Sequence, residues 1–256
     1  MLAATILLAY VSTRIVKLPA REFNLQLFGL YLSVEINVRT VVALLVTGLS
    51  ATGADWLIRS HPSLKNKSTL EHWLLPVLTA WVIGVPLYRL TLGWSWLIGI
   101  VIGGALLMLV FVAEYIVVDP EDTRYALATA GLTALSFALF LMLAIALRTN
   151  GIRLLGVLPV LSLAGGLIAL RTLHLRYQGI WAFWQAAALT LIIAQYTASL
   201  HYLPFSPITF SMTLIGPTYA LISLVGNLYE GNKLKQAIIE PAIVLIIIWI
   251  TAIWMN

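Results

Sequence analysis

Residues 94–117 read WSWLIGIVIGGALLMLVFVAEYIV, with no charged side chain before Glu114. Crossing roughly 30 Å of hydrocarbon at 1.5 Å per residue takes about 20 apolar residues, so this run is long enough to span a bilayer. Read outward with the same ruler, the chain offers eight more runs, at about 1–17, 39–59, 72–91, 124–148, 153–173, 180–203, 207–229 and 236–255. The fold that follows is an all-α polytopic membrane protein, one integral membrane domain over residues 1–256, built as a bundle of about nine transmembrane helices. Eight is the alternative count, because the first run is short.

Composition points the same way. The 256 residues are 61% hydrophobic and 10% charged, with a mean hydropathy of +0.97, whereas a soluble domain carries about 25% charged residues. Such a chain cannot cover a water-facing surface, so the lipid bilayer is its main solvent. We expect a multi-pass protein of a prokaryotic plasma membrane. Trp73, Trp94, Trp96, Trp181, Trp184, Trp249 and Trp254 cluster near run ends, where amphipathic rings settle at membrane–water boundaries. Met1–Tyr10 is apolar from its start, and Arg14 and Lys17 follow it instead of preceding it. That order predicts a retained first helix, not a cleaved signal.

One stretch has a different period. From Phe23 to Val38 apolar residues alternate as Phe23, Leu25, Leu27, then Leu30, Leu32, Val34, Ile36 and Val38. Period two is the strand signature, and the phase changes across Phe28-Gly29, a turn signal. A small β-hairpin at about 23–38 is expected, its apolar face lying on helix ends, the membrane surface or a partner, because an isolated hairpin is marginal in water.

Charge excludes one class. The net charge is +5, but the basic residues stand singly in short loops, with no basic run or aromatic-interleaved patch. Nucleic acid is therefore not a partner; topology-setting loops and anionic lipid account for the excess. In a nine-helix layout seven basic residues fall on one side and eight on the other, which leaves the orientation open. With no Cys, disulfides, thiol catalysis and Cys-ligated metals are excluded. No motif names a cofactor.

The clearest polar pattern lies in the eighth run. Thr209, Thr213, Gly216, Ala220, Ser223 and Asn227 recur at spacings of four and three, on one helix face. In lipid such a face is a close-packed helix seam or, with Pro217 beside Gly216 freeing a backbone carbonyl, the lining of a substrate path. The seventh run is the most polar. Gln195, Ser199 and Tyr202 share one face and Thr190, Thr197 and His201 another; unpaired amides are costly in hydrocarbon, so these should look inward. Ala126, Ala130, Ala134 and Ala138, Gly99-x-x-x-Gly103, Ser162-x-x-x-Gly166 and Gly165-x-x-x-Ala169 read as packing seams.

Ionisable groups near the spans have local explanations. Asp55 and Arg59 are an i, i+4 pair; Glu114 is near its run's end; Glu240 precedes Pro241 in the first turn of the ninth run, where the helix dipole favours a carboxylate. His174 lies between Arg171 and Arg176, a grouping able to grip a lipid phosphate. There is no His-Glu-x-x-His motif, Gly-x-Ser-x-Gly elbow or P-loop. His61 and His72 flank one loop, and Asp119, Glu121 and Asp122 crowd another; together they form a candidate membrane-face cluster, without metal-ligand spacing.

Three function classes follow. The first is a non-enzymatic membrane subunit or scaffold that packs against other membrane proteins or itself. The second is a small permease with a polar path along the seventh and eighth runs. The third is an intramembrane lipid-modifying enzyme. Catalytic residues cannot be named from the sequence.

Overall fold

The structure, a computed structural model, describes residues 2–15, 21–27, 30–36, 38–64, 69–177 and 179–255. Among the described residues there are nine α-helices: α1 (Leu2–Ile15), α2 (Val38–Arg59), α3 (Leu74–Arg89), α4 (Trp94–Val117), α5 (Tyr125–Thr149), α6 (Leu154–Arg176), α7 (Phe183–His201), α8 (Pro207–Tyr229) and α9 (Leu234–Trp254). Seven segments, in or around α2, α3, α4, α5, α6, α8 and α9, are long and apolar enough to cross a membrane. This corrects the nine-span expectation for two helices. α1 has 14 residues, about 21 Å at 1.5 Å each. α7 has a sufficient 19 residues, but Gln185, Gln195 and His201 dilute its hydropathy.

Between α1 and α2 the backbone forms two antiparallel strands, β1 (Arg21–Leu27) and β2 (Leu30–Ile36), with Phe23 opposite Val34 and Leu25 opposite Leu32. The Phe28-Gly29 turn lies outside the described residues, and so do the side chains of both strands. The architecture that stands is the helical one.

The chain divides into two compact units, residues 1–128 and 129–256. In the first, α1 to α4 pack around Ile6, Tyr10, Val46, Ala80, Ile83, Leu107 and Phe111. Small residues set the helix spacing. A methyl group on Gly103 would stand 2.7 Å from Ile83 Cγ2, and one on Gly99 2.9 Å from a Leu90 methyl, so Gly99-x-x-x-Gly103 is indeed the α4 side of a seam. The Tyr10 hydroxyl donates to the Ala80 carbonyl at 2.6 Å, pinning α1 to α3. α2 carries a run of small and polar residues, Thr47–Ala54, which divides: Ser50, Gly53 and Ala54 are buried while Thr52 is exposed, its hydroxyl bonded to the Gly48 carbonyl at 2.7 Å.

In the second unit α6 packs on α7 and α8 on α9. Gly165 meets Ile193, and a Cβ at Gly166 would collide with Thr190 Oγ1. The Ala126, Ala130, Ala134 and Ala138 row of α5 departs from expectation, for all four are exposed. Phe137 and Phe140 turn inward instead, because their larger apolar area gains more from burial. Ser206 caps α8 as its sequence predicts, accepting from the Thr209 backbone N–H at 3.1 Å with Pro207 in the first turn.

The seams predict a contrast between two glycines. Gly166→Ala should destabilise the protein by about 1–3 kcal/mol through overpacking. Gly131→Ala, with open space at its Cβ, should be neutral or slightly stabilising, since alanine is the better helix former. Thermal unfolding in detergent distinguishes them.

Candidate functional site

Among the described residues each unit holds a polar constellation near helix ends. In the first unit the 3-10 turn Leu70–His72 sets His72 against α4. The ring is buried; its Nδ1 lies 2.7 Å from Glu114 Oε2 and its Nε2 3.2 Å from Glu71 Oε1. Nearby, Ser63 ties the two loops together. Its hydroxyl donates to Asp119 Oδ2 at 3.0 Å and its backbone N–H to His61 Nδ1 at 3.1 Å, while the His61 ring stands edge-on to Tyr115. Asp55 accepts from Arg59 at 2.7 Å and from Thr69.

The structure thus brings His61, Ser63 and Asp119 together, while His72, on the turn before α3, is held by Glu114 of α4. Glu121 and Asp122 take other roles. Asp119 Oδ1 accepts the Glu121 backbone N–H, and Asp122 Oδ1 accepts that of Arg124, so the acidic loop is shaped by side-chain-to-backbone turns. Among the described residues no group of three His, Asp or Glu side chains is placed to hold a metal ion.

In the second unit the eighth-run stripe turns toward α9. Thr209 Oγ1 lies 3.5 Å from the Ala252 carbonyl, and a Cβ at Gly216 would approach Leu245 and Trp249. Ser223 Oγ and Asn227 Nδ2 donate to Glu240 Oε2 at 2.9 and 3.3 Å, and Tyr219 donates to Oε1 at 2.5 Å. The first-turn role expected for Glu240 is corrected: α9 starts at Leu234, so this carboxylate lies past the first turn and accepts from α8. Arg176 extends the network, bonding Asn227 Oδ1 at 2.9 Å, the Ser223 carbonyl at 3.2 Å and Glu230 at 3.1 Å. Gly226 admits its guanidinium, which any Cβ there would strike. Just beyond α6, burial and then the stacked Tyr229 push the Tyr177 phenol above its ordinary pKa.

The phosphate-gripping arrangement does not form. His174 is buried against Trp181, Arg171 is buried, and Arg176 is committed to α8. Pro217 leaves α8 continuous from Pro207 to Tyr229. A recess of about 300 Å³ beside it is lined by Tyr196, Phe205, Thr209, Thr213, Trp249 and Ile253. Its threonine content is muted, because Thr213 Oγ1 donates to the Thr209 carbonyl at 2.7 Å. Gln195, Ser199 and Asn227 do not line it.

Gln195 and Ser199 hold the largest departure from expectation. Thr190 and Thr197 face their own unit, each hydroxyl bonded to the carbonyl four residues earlier, but Gln195, Ser199 and Tyr202 are exposed. The packing of α6 decides this: Gly165 and Gly166 accept Ile193 and Thr190, and that rotation turns the amide face outward.

A family model described as a protein of unknown function (DUF5656) matches residues 18–255. The chain belongs to the DUF5656 family. No curated protein and no solved structure matches it. In this DUF5656 chain the Glu240 hub was not read from the sequence; Tyr219 standing four residues before Ser223 and eight before Asn227 was the available signal.

The buried His72–Glu114 pair predicts a test. Glu114→Leu should cost about 1–3 kcal/mol, leaving a buried imidazole nitrogen without its 2.7 Å partner. Adding His72→Leu should recover much of that loss. Unfolding of the single and double variants in detergent measures the coupling.

Proposed function

We propose that the chain is a non-enzymatic membrane subunit or scaffold that packs against other membrane proteins, in a prokaryotic plasma membrane. The observation that carries this reading is the exposed alanine row of α5, a helix long and apolar enough to cross a membrane, since small residues admit a close-packed partner helix. The outward polarity of α7, with Gln195 and Ser199 exposed, supports it. The hairpin between α1 and α2 is a further element for docking. The polar networks support it too, for Glu240, Arg176 and Asp119 are engaged in bonds that tie helices or loops together.

A second reading, an intramembrane lipid-modifying enzyme, is favoured by one observation, the convergence of His61, Ser63 and Asp119. Purification in mild detergent decides between them. The subunit reading expects a stoichiometric protein partner or self-association, and an unchanged lipid profile when Asp119→Asn or His72→Gln replaces the native chain in cells. A monomer whose Asp119→Asn variant stays folded but abolishes one lipid product would overturn it in favour of the enzyme.

A further inference from the structure

The recess of about 300 Å³ lies at one end of the second unit, and every residue that lines it belongs to that unit. Its depth follows from helix geometry. Thr209 and Thr213 stand about 3 and 9 Å past the first residue of α8, and Trp249 and Ile253 about 8 and 2 Å before the last of α9. Both helices are long and apolar enough to cross a membrane. In a bilayer the recess therefore falls within about 10 Å of one boundary, where lipid head groups give way to acyl chains. Its threonines are already satisfied: Thr213 Oγ1 donates to the Thr209 carbonyl at 2.7 Å, and Thr209 Oγ1 pairs with Ser206 Oγ at 2.8 Å. Tyr196 differs. It is half-buried, and among the described residues its hydroxyl has no hydrogen-bond partner. Charge at this end has one sign. Arg148 bonds the His201 and Leu203 carbonyls there, Arg153 is exposed, and residues 145–156, 196–212 and 246–256 contain no Asp or Glu.

We propose that the recess binds an anionic membrane phospholipid, seating one acyl chain, with the Tyr196 hydroxyl donating to an ester carbonyl and Arg153 drawing the phosphate. Three features select a lipid. One helical turn, about 5.4 Å tall and about 10 Å across, displaces about 420 Å³, more than the recess holds, whereas a flexible chain can enter end-on. A phenol beside an apolar slot matches an ester, since the hydroxyl donates, the carbonyl accepts and the chain runs on into apolar surroundings. Arginines unopposed by carboxylates attract anionic head groups. The site is independent of the subunit reading and stands whether or not a protein packs elsewhere on the chain.

The test uses the full chain in phosphatidylcholine vesicles containing a small fraction of phosphatidylglycerol that carries a diazirine on one acyl chain. After irradiation, peptide mapping should find label around Thr213, Trp249 and Ile253 several-fold above that at Ile243 and Ile246, which are exposed on the same helix α9. Thr213→Trp, which fills the recess, should remove that excess. Tyr196→Phe keeps the ring and the fold, and should weaken binding about two- to tenfold, read as competition by unlabelled phosphatidylglycerol. Arg153→Gln should narrow the preference for phosphatidylglycerol over phosphatidylcholine about fivefold. Label spread evenly along α9, recess label unaffected by both Thr213→Trp and Tyr196→Phe, or equal competition by the two lipids overturns the proposal. So does a stoichiometric protein partner whose binding abolishes the recess label, which assigns the recess to that partner.

Discussion

A polar group buried among apolar helices has no water to turn to, and the arrangement of polar atoms within each unit follows from that constraint. Hydroxyls inside the helices take the nearest available acceptor. Ser136, Thr197 and Thr218 each donate to the carbonyl four residues back, at 2.7 to 2.8 Å. Helix ends need stronger devices. Arg148, at the end of α5, donates to the carbonyls of His201 and Leu203 at 2.6 and 2.8 Å, satisfying the C-terminal turn of α7 and matching its negative dipole end. Arg176 and Glu240 do the same between helices. The ionisable residues sit where helices end or meet because only there can a charge find enough partners.

The same constraint accounts for the glycines. Lipid gives little apolar driving force for one helix to prefer another, so association depends on close contact and shared hydrogen bonds. Gly99, Gly103, Gly165, Gly166, Gly216 and Gly226 each stand where a side chain of a neighbouring helix or turn occupies the space a Cβ would take. Gly226 joins both themes: its missing side chain is what allows a guanidinium to reach the α8–α9 network.

Much of this was legible in the sequence, and the rest was hidden for physical reasons. Helix existence was readable because apolar length is a direct consequence of bilayer thickness; α4 and α8 keep their expected bounds. The Ser223–Asn227 face was readable as a seam because small and polar residues at helical spacing have few other uses in lipid. Rotation of a helix is a different matter. Thr190 and Thr197 satisfy their own hydroxyls and can be buried, whereas Gln195 cannot, yet both faces of α7 look alike in composition. Only Gly165 and Gly166, on a different helix, decide which face is covered. Glu240 was misread for a related reason, since the start of α9 moved it past the first turn and its partners come from α8.

The central claim is that lipid, not water, covers the exposed apolar surface. Leu92, Met108 and Pro120 are all exposed within the chain, before, within and after α4, so protein packing does not separate them. The direct measurement is labelling of single-Cys variants at these three positions in sealed membranes, using a membrane-impermeant maleimide from each side. A bilayer-spanning α4 predicts that positions 92 and 120 label from opposite sides and position 108 from neither. Labelling of all three from one side would contradict the account.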